Sequence, residues 1–94
     1  MYSVIRRYDG VPALIEGLER RQDDVRREMS ATPGFVAYYA IRDGKALTTV
    51  TVARSRADAE ESSRTVAKWL TENLPDVKVR PPDVSGGEVF IHTP

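Results

Sequence analysis

The sequence predicts an α+β domain whose elements follow the order β-α-β-β-α-β. Three observations predict it: a hairpin signal in mid-chain, a helical apolar stripe on each side of it, and a β-rich segment at each end. The hairpin signal is Asp43-Gly44 between the β-rich runs 35–42 and 45–53, because Asp-Gly suits a type I′ turn. With right-handed crossovers, this order gives a ferredoxin-like fold, a four-stranded antiparallel sheet with two helices on one face.

The first half of the chain supplies one strand and one helix. Residues 2–8 are β-rich and end at Asp9-Gly10, which predicts the first strand. Pro12 fits the first turn of a helix, where its missing N–H costs nothing. Apolar residues then recur at helical spacing as far as Met29, so we predict one continuous helix that ends before Pro33.

The second half supplies the other helix and the last strand. Ser55 and Asp58 resemble a capping box, and Pro75 stops the helix after about Leu74. Trp69 lies at the edge of its apolar stripe. Residues 76–87 are rich in Pro, Gly and Asp and predict a long connection, after which residues 88–93 form the last strand.

The hairpin sorts side chains onto two faces of the sheet. If Asp43 and Gly44 form the loop, Ile41 lies opposite Ala46. The more apolar face, which we predict to lie under the helices, carries Phe35, Ala37, Tyr39, Ile41, Ala46, Thr48, Val50 and Val52. The other face carries Val36, Tyr38, Ala40, Arg42, Lys45, Leu47, Thr49, Thr51 and Ala53. A three-residue loop with a bulge would exchange these roles on one strand, and that alternative stays open.

Composition narrows the class of protein. The chain has 94 residues, which we interpret as a single domain (1–94), and 14 basic against 14 acidic residues. This even balance argues against a nucleic-acid-binding module. There is no cysteine, and no apolar run is long enough to cross a membrane. We expect a cytoplasmic protein with neither a nucleic-acid nor a membrane partner.

A sheet with both helices on one side leaves its other face bare. Val36, Tyr38 and Leu47 would then form an exposed apolar patch, and patches of a few hundred Å² usually mark an interface or a binding site. We therefore predict a homodimer in which a second copy covers this face about a twofold axis.

The order of elements, with Pro33-Gly34-Phe35 opening the second strand, resembles the dimeric α/β-barrel proteins, and within them the antibiotic-biosynthesis-monooxygenase group. The resemblance implies two sheets facing each other across a cleft. Some members oxidise aromatic polyketides with oxygen and without a cofactor, and others bind or degrade haem. The cleft Asn and Trp of the monooxygenases correspond to Thr49 and Ala53 here, and the haem-degrading pattern is missing its Asn and His. Catalysis is therefore left open, and no cofactor is expected.

Eight residues are candidates for lining the cleft: Tyr38, Val36, Leu47, Thr49, Thr51, Trp69, Arg7 and His92. Tyr38 could orient a substrate or donate a proton, or simply anchor the interface. Trp69 could wall a pocket or belong to the core. His92, the only histidine, could be a general base or a solvated side chain, and it has no neighbours that would make a metal site.

The first strand contributes one arginine to each face, because Arg6 and Arg7 are adjacent. Whichever faces the cleft could bind a carboxylate or phenolate, or form a salt bridge across the dimer. The functional hypothesis is a cleft that binds a flat, apolar or aromatic small molecule and could oxidise it without a cofactor. The alternative is a non-catalytic binding or interaction module.

Overall fold

The computed structural model describes all 94 residues, and the predicted α+β ferredoxin-like class is confirmed. Its elements are β1 (Tyr2–Tyr8), α1 (Pro12–Arg20), α2 (Gln22–Ser30), β2 (Phe35–Asp43), β3 (Ala46–Ala53), α3 (Arg56–Asn73) and β4 (Asp83–Glu88). The four strands form one sheet in the order β2-β3-β1-β4, and every neighbouring pair is antiparallel. None of the helices combines the length and the apolar character needed to cross a bilayer.

The first helical region is two helices, so the prediction of one continuous helix is wrong. Arg21 lies between α1 and α2 with φ −118° and ψ 31°, outside the helical region. Its N–H donates to Leu18 O (3.1 Å), and its own carbonyl accepts from Val25 N (3.0 Å), so one hydrogen-bond ladder ends where the next begins. No glycine or proline lies at this position, so the sequence contains no helix-breaking residue that would predict the interruption.

The hairpin loop is Gly44-Lys45, one residue later than predicted. Asp43 pairs with Ala46, and only Gly44 has positive φ (60°), as in a type II′ turn. From Ala37 to Asp43, odd-numbered residues of β2 still lie opposite even-numbered residues of β3, so the two predicted sets of side chains are retained there. A bulge between Phe35 and Ala37 places Phe35 opposite Ala53, so Phe35 leaves its predicted set.

The predicted orientation of these two sets is wrong. The helices cover the face of Tyr38, on which Leu47 and Thr51 are 3% and 0% exposed. Tyr39 and Ile41, placed under the helices by their apolar character, are 57% and 48% exposed on the open face. The physical reason is a network of buried hydroxyl groups, described below, that makes the more polar face the internal one.

Two small apolar clusters hold the helices on the sheet. The larger has Tyr8, Leu14, Ile15 and Leu47 at its centre, and the smaller joins Val4, Ala53 and Ala59. The start of α3 is fixed as predicted, because Ser55 Oγ accepts a hydrogen bond from Asp58 N (3.1 Å).

The last strand is β4 at Asp83–Glu88, so the prediction of a strand over 88–93 is wrong. β4 pairs with β1, and β1 begins at Tyr2, which leaves the following Val-Phe-Ile segment without a partner strand. The last backbone hydrogen bond runs from Val89 N to Met1 O (2.9 Å). Phe90 and Ile91 are consequently 90% and 73% exposed.

Candidate functional site

Arg6 lies at the centre of the helix-covered face, where it is 1% exposed. All five of its N–H donors are used, and every acceptor is a hydroxyl. Nε and Nη2 both donate to Ser63 Oγ (3.1 and 2.9 Å), and Nη2 also donates to Ser62 Oγ (2.7 Å). Nη1 donates to Thr51 Oγ1 (3.0 Å) and, more weakly, to Thr49 Oγ1 (3.4 Å).

Strand alternation and one helix face assemble this group. Arg6 lies between Val4 and Tyr8 on the inner face of β1, directly opposite Thr49 of β3. Thr51 follows two residues later on the same side of β3. Ser62 and Ser63 come from α3, whose small side chains let it approach the sheet closely. Ser62 also donates to Ala59 O (2.5 Å), which fixes its hydroxyl proton inside the helix.

No carboxylate accompanies this buried cation. The ion pairs of the chain lie on exposed side chains, and none of them includes Arg6. Burial lowers the pKa of the Arg6 guanidinium, while the nearby Tyr8 and Tyr38 act in the opposite direction. A guanidinium remains charged in proteins at neutral pH, so the site holds one positive charge that only neutral oxygens solvate.

Two phenols adjoin Arg6, and both stay protonated at neutral pH. Burial raises the pKa of Tyr38 to about 12, and the positive charge of Arg6 only partly offsets this effect. Burial also raises the pKa of Tyr8, again opposed by Arg6. Neither tyrosine can therefore supply the missing negative charge, but each can donate a hydrogen bond.

A narrow apolar slot lies between the sheet and all three helices. Four predicted site residues line it together, Tyr38, Leu47, Thr49 and Trp69. Its free volume is only about 20 Å³, which is room for a single water molecule. The slot is therefore filled by the protein's own side chains.

A wider groove lies on the other side of α3, between that helix and residues 75–84. Its volume is about 520 Å³, within the range of small-molecule sites. Arg6, Tyr8 and Ser63 line it together with the apolar residues Ala67, Leu70, Leu74, Val77, Val79 and Val84. No Asp or Glu lines the groove, and the exposed Arg80 does. Tyr8 and Leu70 line both the groove and the slot, so they form the wall between them.

The other four predicted site residues do not line the slot. Thr51 joins the site through its bond to Arg6, and Val36 lies at a bulge of β2 and lines neither cavity. Arg7 points to the open face, where it is bonded to Asp9 (3.1 Å) and is 48% exposed. His92 is exposed in the segment after β4. Of these four residues, Thr51 lies beside Tyr38 on the helix-covered face, whereas Arg7 lies on the opposite face of the sheet. That all eight residues line a cleft between two subunits stays a prediction.

Sequence reasoning missed Arg6, Tyr8, Ser62 and Ser63 as a group. The available signal was an arginine flanked at i±2 by apolar residues, together with two serines inside the apolar stripe of α3. No set of three or more metal-binding side chains is gathered anywhere in the fold.

No protein-family model matches the sequence, and no curated protein matches it significantly. Solved structures do match over nearly the whole chain. A protein of unknown function from Nitrosomonas europaea superposes with a TM-score of 0.76 at 16% identity, covering 98% of this chain and 91% of its own. A protein from Chloroflexus aurantiacus, provisionally named an antibiotic biosynthesis monooxygenase, gives 0.67 at 17% identity, covering 98% and 96%.

A third similar structure is a monooxygenase from Streptomyces coelicolor in complex with the ligand nanaomycin D. Its TM-score is 0.65 at 17% identity, and the match covers 99% of this chain and 91% of that protein. Identities this low establish the architecture and leave the chemistry to the residues of this chain. The chain thus has the ferredoxin-like fold of the antibiotic-biosynthesis-monooxygenase-like proteins, as the sequence resemblance predicted.

Proposed function

We propose that the protein is a homodimer that binds a flat, largely apolar or aromatic small molecule. One observation carries the binding proposal, the groove of about 520 Å³ whose mostly apolar walls converge on Arg6, Ser63 and Tyr8. Pockets of this kind, apolar with a few convergent polar groups, are the usual form of a ligand site. The inner slot, at about 20 Å³, holds no ligand and serves as packed support for the groove.

Filling the groove from inside should abolish binding. Ala67 is an exposed residue of α3 that lines the groove, so Ala67→Trp places an indole in the space proposed for the ligand. We expect wild-type protein to bind 2-naphthoate or its neutral analogue 2-naphthamide in isothermal titration calorimetry, and Ala67→Trp to bind neither.

Ala57→Trp is the matched control, because it makes the same substitution in α3 at an exposed position that does not line the groove. It should bind as the wild type does. Absence of binding to the wild type, or unchanged binding to Ala67→Trp, would contradict the proposed site.

The open face of the sheet supports the homodimer. Its exposed apolar side chains include Tyr39 and Ile41. By strand alternation, the charged residues of this face, Arg7, Asp43 and Asp83, lie at its hairpin end. A twofold axis would place the uncharged centre of one copy on that of another, which buries apolar surface without opposing charges.

Ile41→Glu should therefore separate the dimer, because it replaces an apolar side chain by a charge on the face that the second copy would bury. We expect light scattering after gel filtration to give twice the 10.5 kDa chain mass for the wild type and for the apolar control Ile41→Val. Ile41→Glu should give the monomer mass. A monomeric wild type, or an unchanged mass for Ile41→Glu, would refute this interface.

A second candidate function is cofactor-free oxidation, and the protonated Tyr38 favours it. Tyr38 also lines a second groove of about 420 Å³ between β2 and the helices α1 and α2. From there, a phenol whose pKa is about 12 can donate a hydrogen bond to a substrate keto oxygen and so stabilise its enolate. With an anthrone, the methylene carbon would lose two hydrogens and gain one oxygen atom of O₂ as a ketone, while the other oxygen leaves as water. The alternative is a non-catalytic binding module, which the filled slot around Tyr38 favours.

Oxygen uptake with anthrone separates the two alternatives. If the protein is an oxygenase that uses Tyr38, uptake should exceed the uncatalysed rate and fall at least about tenfold in Tyr38→Phe. Uptake equal to the uncatalysed rate would favour the binding module, and equal rates for the two proteins would remove Tyr38 from the mechanism.

A further inference from the structure

We infer that the groove ligand carries a carboxylate, and that this carboxylate binds at Ser63 against the positive charge of Arg6. The inference rests on the proposed groove site and specifies the chemistry of what occupies it. It depends on three features of the structure: an uncompensated buried charge, the position of Ser63, and the absence of acidic side chains around the groove.

Arg6 is the only ionised side chain among the fully buried residues of the chain. Desolvating a cation is costly unless an anion or many hydrogen bonds replace its water. Four hydroxyls satisfy its five donors, yet none of them carries a negative charge. A ligand anion beside Arg6 would gain Coulomb energy at a site whose desolvation the folded protein has already incurred.

Ser63 is the point at which such an anion can reach the cation. Its Oγ accepts from Nε (3.1 Å) and Nη2 (2.9 Å) of Arg6, the edge of a guanidinium that a carboxylate binds in a bidentate pair. Ser62 donates its own proton to Ala59 O, whereas the Ser63 hydroxyl donates to no group of the protein. Ser63 also lines the groove and is only partly buried. Its proton is therefore available to an acceptor in the groove.

The surroundings of Ser63 favour a negative acceptor with an apolar body. The groove has no Asp or Glu, and Arg80 adds a second positive charge. Tyr8 can contribute a further donor, because burial keeps its hydroxyl protonated. Leu70, Leu74 and Val77 offer apolar contact for the rest of the molecule.

Replacing Ser63 by an acidic residue tests whether the positive charge of Arg6 lacks a negative partner. Ser63→Asp should place an oxyanion at the Nε/Nη2 edge of Arg6, and Ser63→Asn is its neutral control of the same shape. We expect Ser63→Asp to melt at least about 5 °C above Ser63→Asn at pH 7. Arg6 would lower the pKa of the new carboxyl in the folded protein. The difference in melting temperature should therefore be complete above the usual pKa of aspartate, and it should disappear as the pH falls through the lowered pKa of the folded state.

The binding arm uses 2-naphthoate and 2-naphthamide, which differ only in the charged group. Wild type should bind 2-naphthoate at least about tenfold more tightly than the amide, as expected for a charge-assisted contact. Ser63→Asp should lose this preference, because its own carboxylate occupies the site. Ala57→Asp, at an exposed position of α3 outside the groove, should keep it.

The outcomes that overturn the inference differ from those that overturn the proposed function. Equal affinity of wild type for the two compounds would refute the carboxylate site while leaving a groove-binding protein. Equal melting temperatures for Ser63→Asp and Ser63→Asn would show that the hydroxyls alone satisfy Arg6, and would also refute it. Failure of both compounds to bind would refute the groove itself.

Discussion

Trp69→Ala is expected to lower the free energy of unfolding by about 3–5 kcal/mol. Trp69 is 8% exposed and fills the slot between the sheet and the helices, so its removal leaves a cavity that the surrounding side chains cannot close fully. Urea denaturation followed by circular dichroism measures the loss. Fluorescence does not serve here, because Trp69 is the only tryptophan of the chain.

Two controls separate packing from a ligand-binding role. Trp69→Phe keeps most of the buried area and should cost clearly less than alanine. Lys68→Ala, at a neighbouring side chain that is 78% exposed, should change stability by about 0.5 kcal/mol or less. A loss below about 1 kcal/mol for Trp69→Ala would mean that the indole faces open space rather than the core.

Gly86→Ala should lower the free energy of unfolding by about 3 kcal/mol, the upper end of the overpacking range. A Cβ at residue 86 would lie 2.5 Å from Ser3 O, and this neighbour is backbone rather than a flexible side chain. The contact can be relieved only by moving β4 away from β1. Amide hydrogen exchange should accordingly show faster exchange along the β1–β4 ladder, and denaturation gives the free energy.

Gly87→Ala is a control one residue away, because a Cβ there meets no atom within 4 Å. It should change the stability by less than about 0.5 kcal/mol. Similar losses at the two positions would show that the general cost of the mutation, and not the approach of the two backbones, explains the Gly86 result.

The sequence was sufficient for the order of strands and helical regions and, except for Phe35 at the bulge, for the sorting of hairpin side chains into two sets. Asp43-Gly44 located the hairpin to within one residue, and the Ser55 cap located α3. It did not indicate which set faces the helices. A count of apolar residues predicts that the set with Tyr39 and Ile41 faces the helices. The set with Thr49 and Thr51 faces them instead, because the hydroxyl groups of these threonines accept hydrogen bonds from the buried Arg6.

The same limit applies to the site. Tyr38, Leu47, Thr49 and Trp69 were predicted to lie together, and the structure does bring them together, although on the helix side of the sheet. Arg6 and Arg7 are adjacent in β1 and therefore lie on opposite faces of the sheet. Because the face covered by the helices was predicted wrongly, Arg7 was chosen as the cleft residue although Arg6 is the buried arginine and Arg7 is exposed. The role of Ser63 depends on how α3 is rotated over the sheet, which a one-dimensional pattern leaves undetermined.

The thin partition made by Tyr8 and Leu70 has a practical consequence. It separates the groove from the cavity that contains the sole indole of the molecule, and Leu70 directly follows that residue in the chain. A compound entering the groove would press on one side of the partition while the chromophore lies on the other. Emission of the unlabelled protein should therefore report occupancy, and ligand screening needs no attached dye.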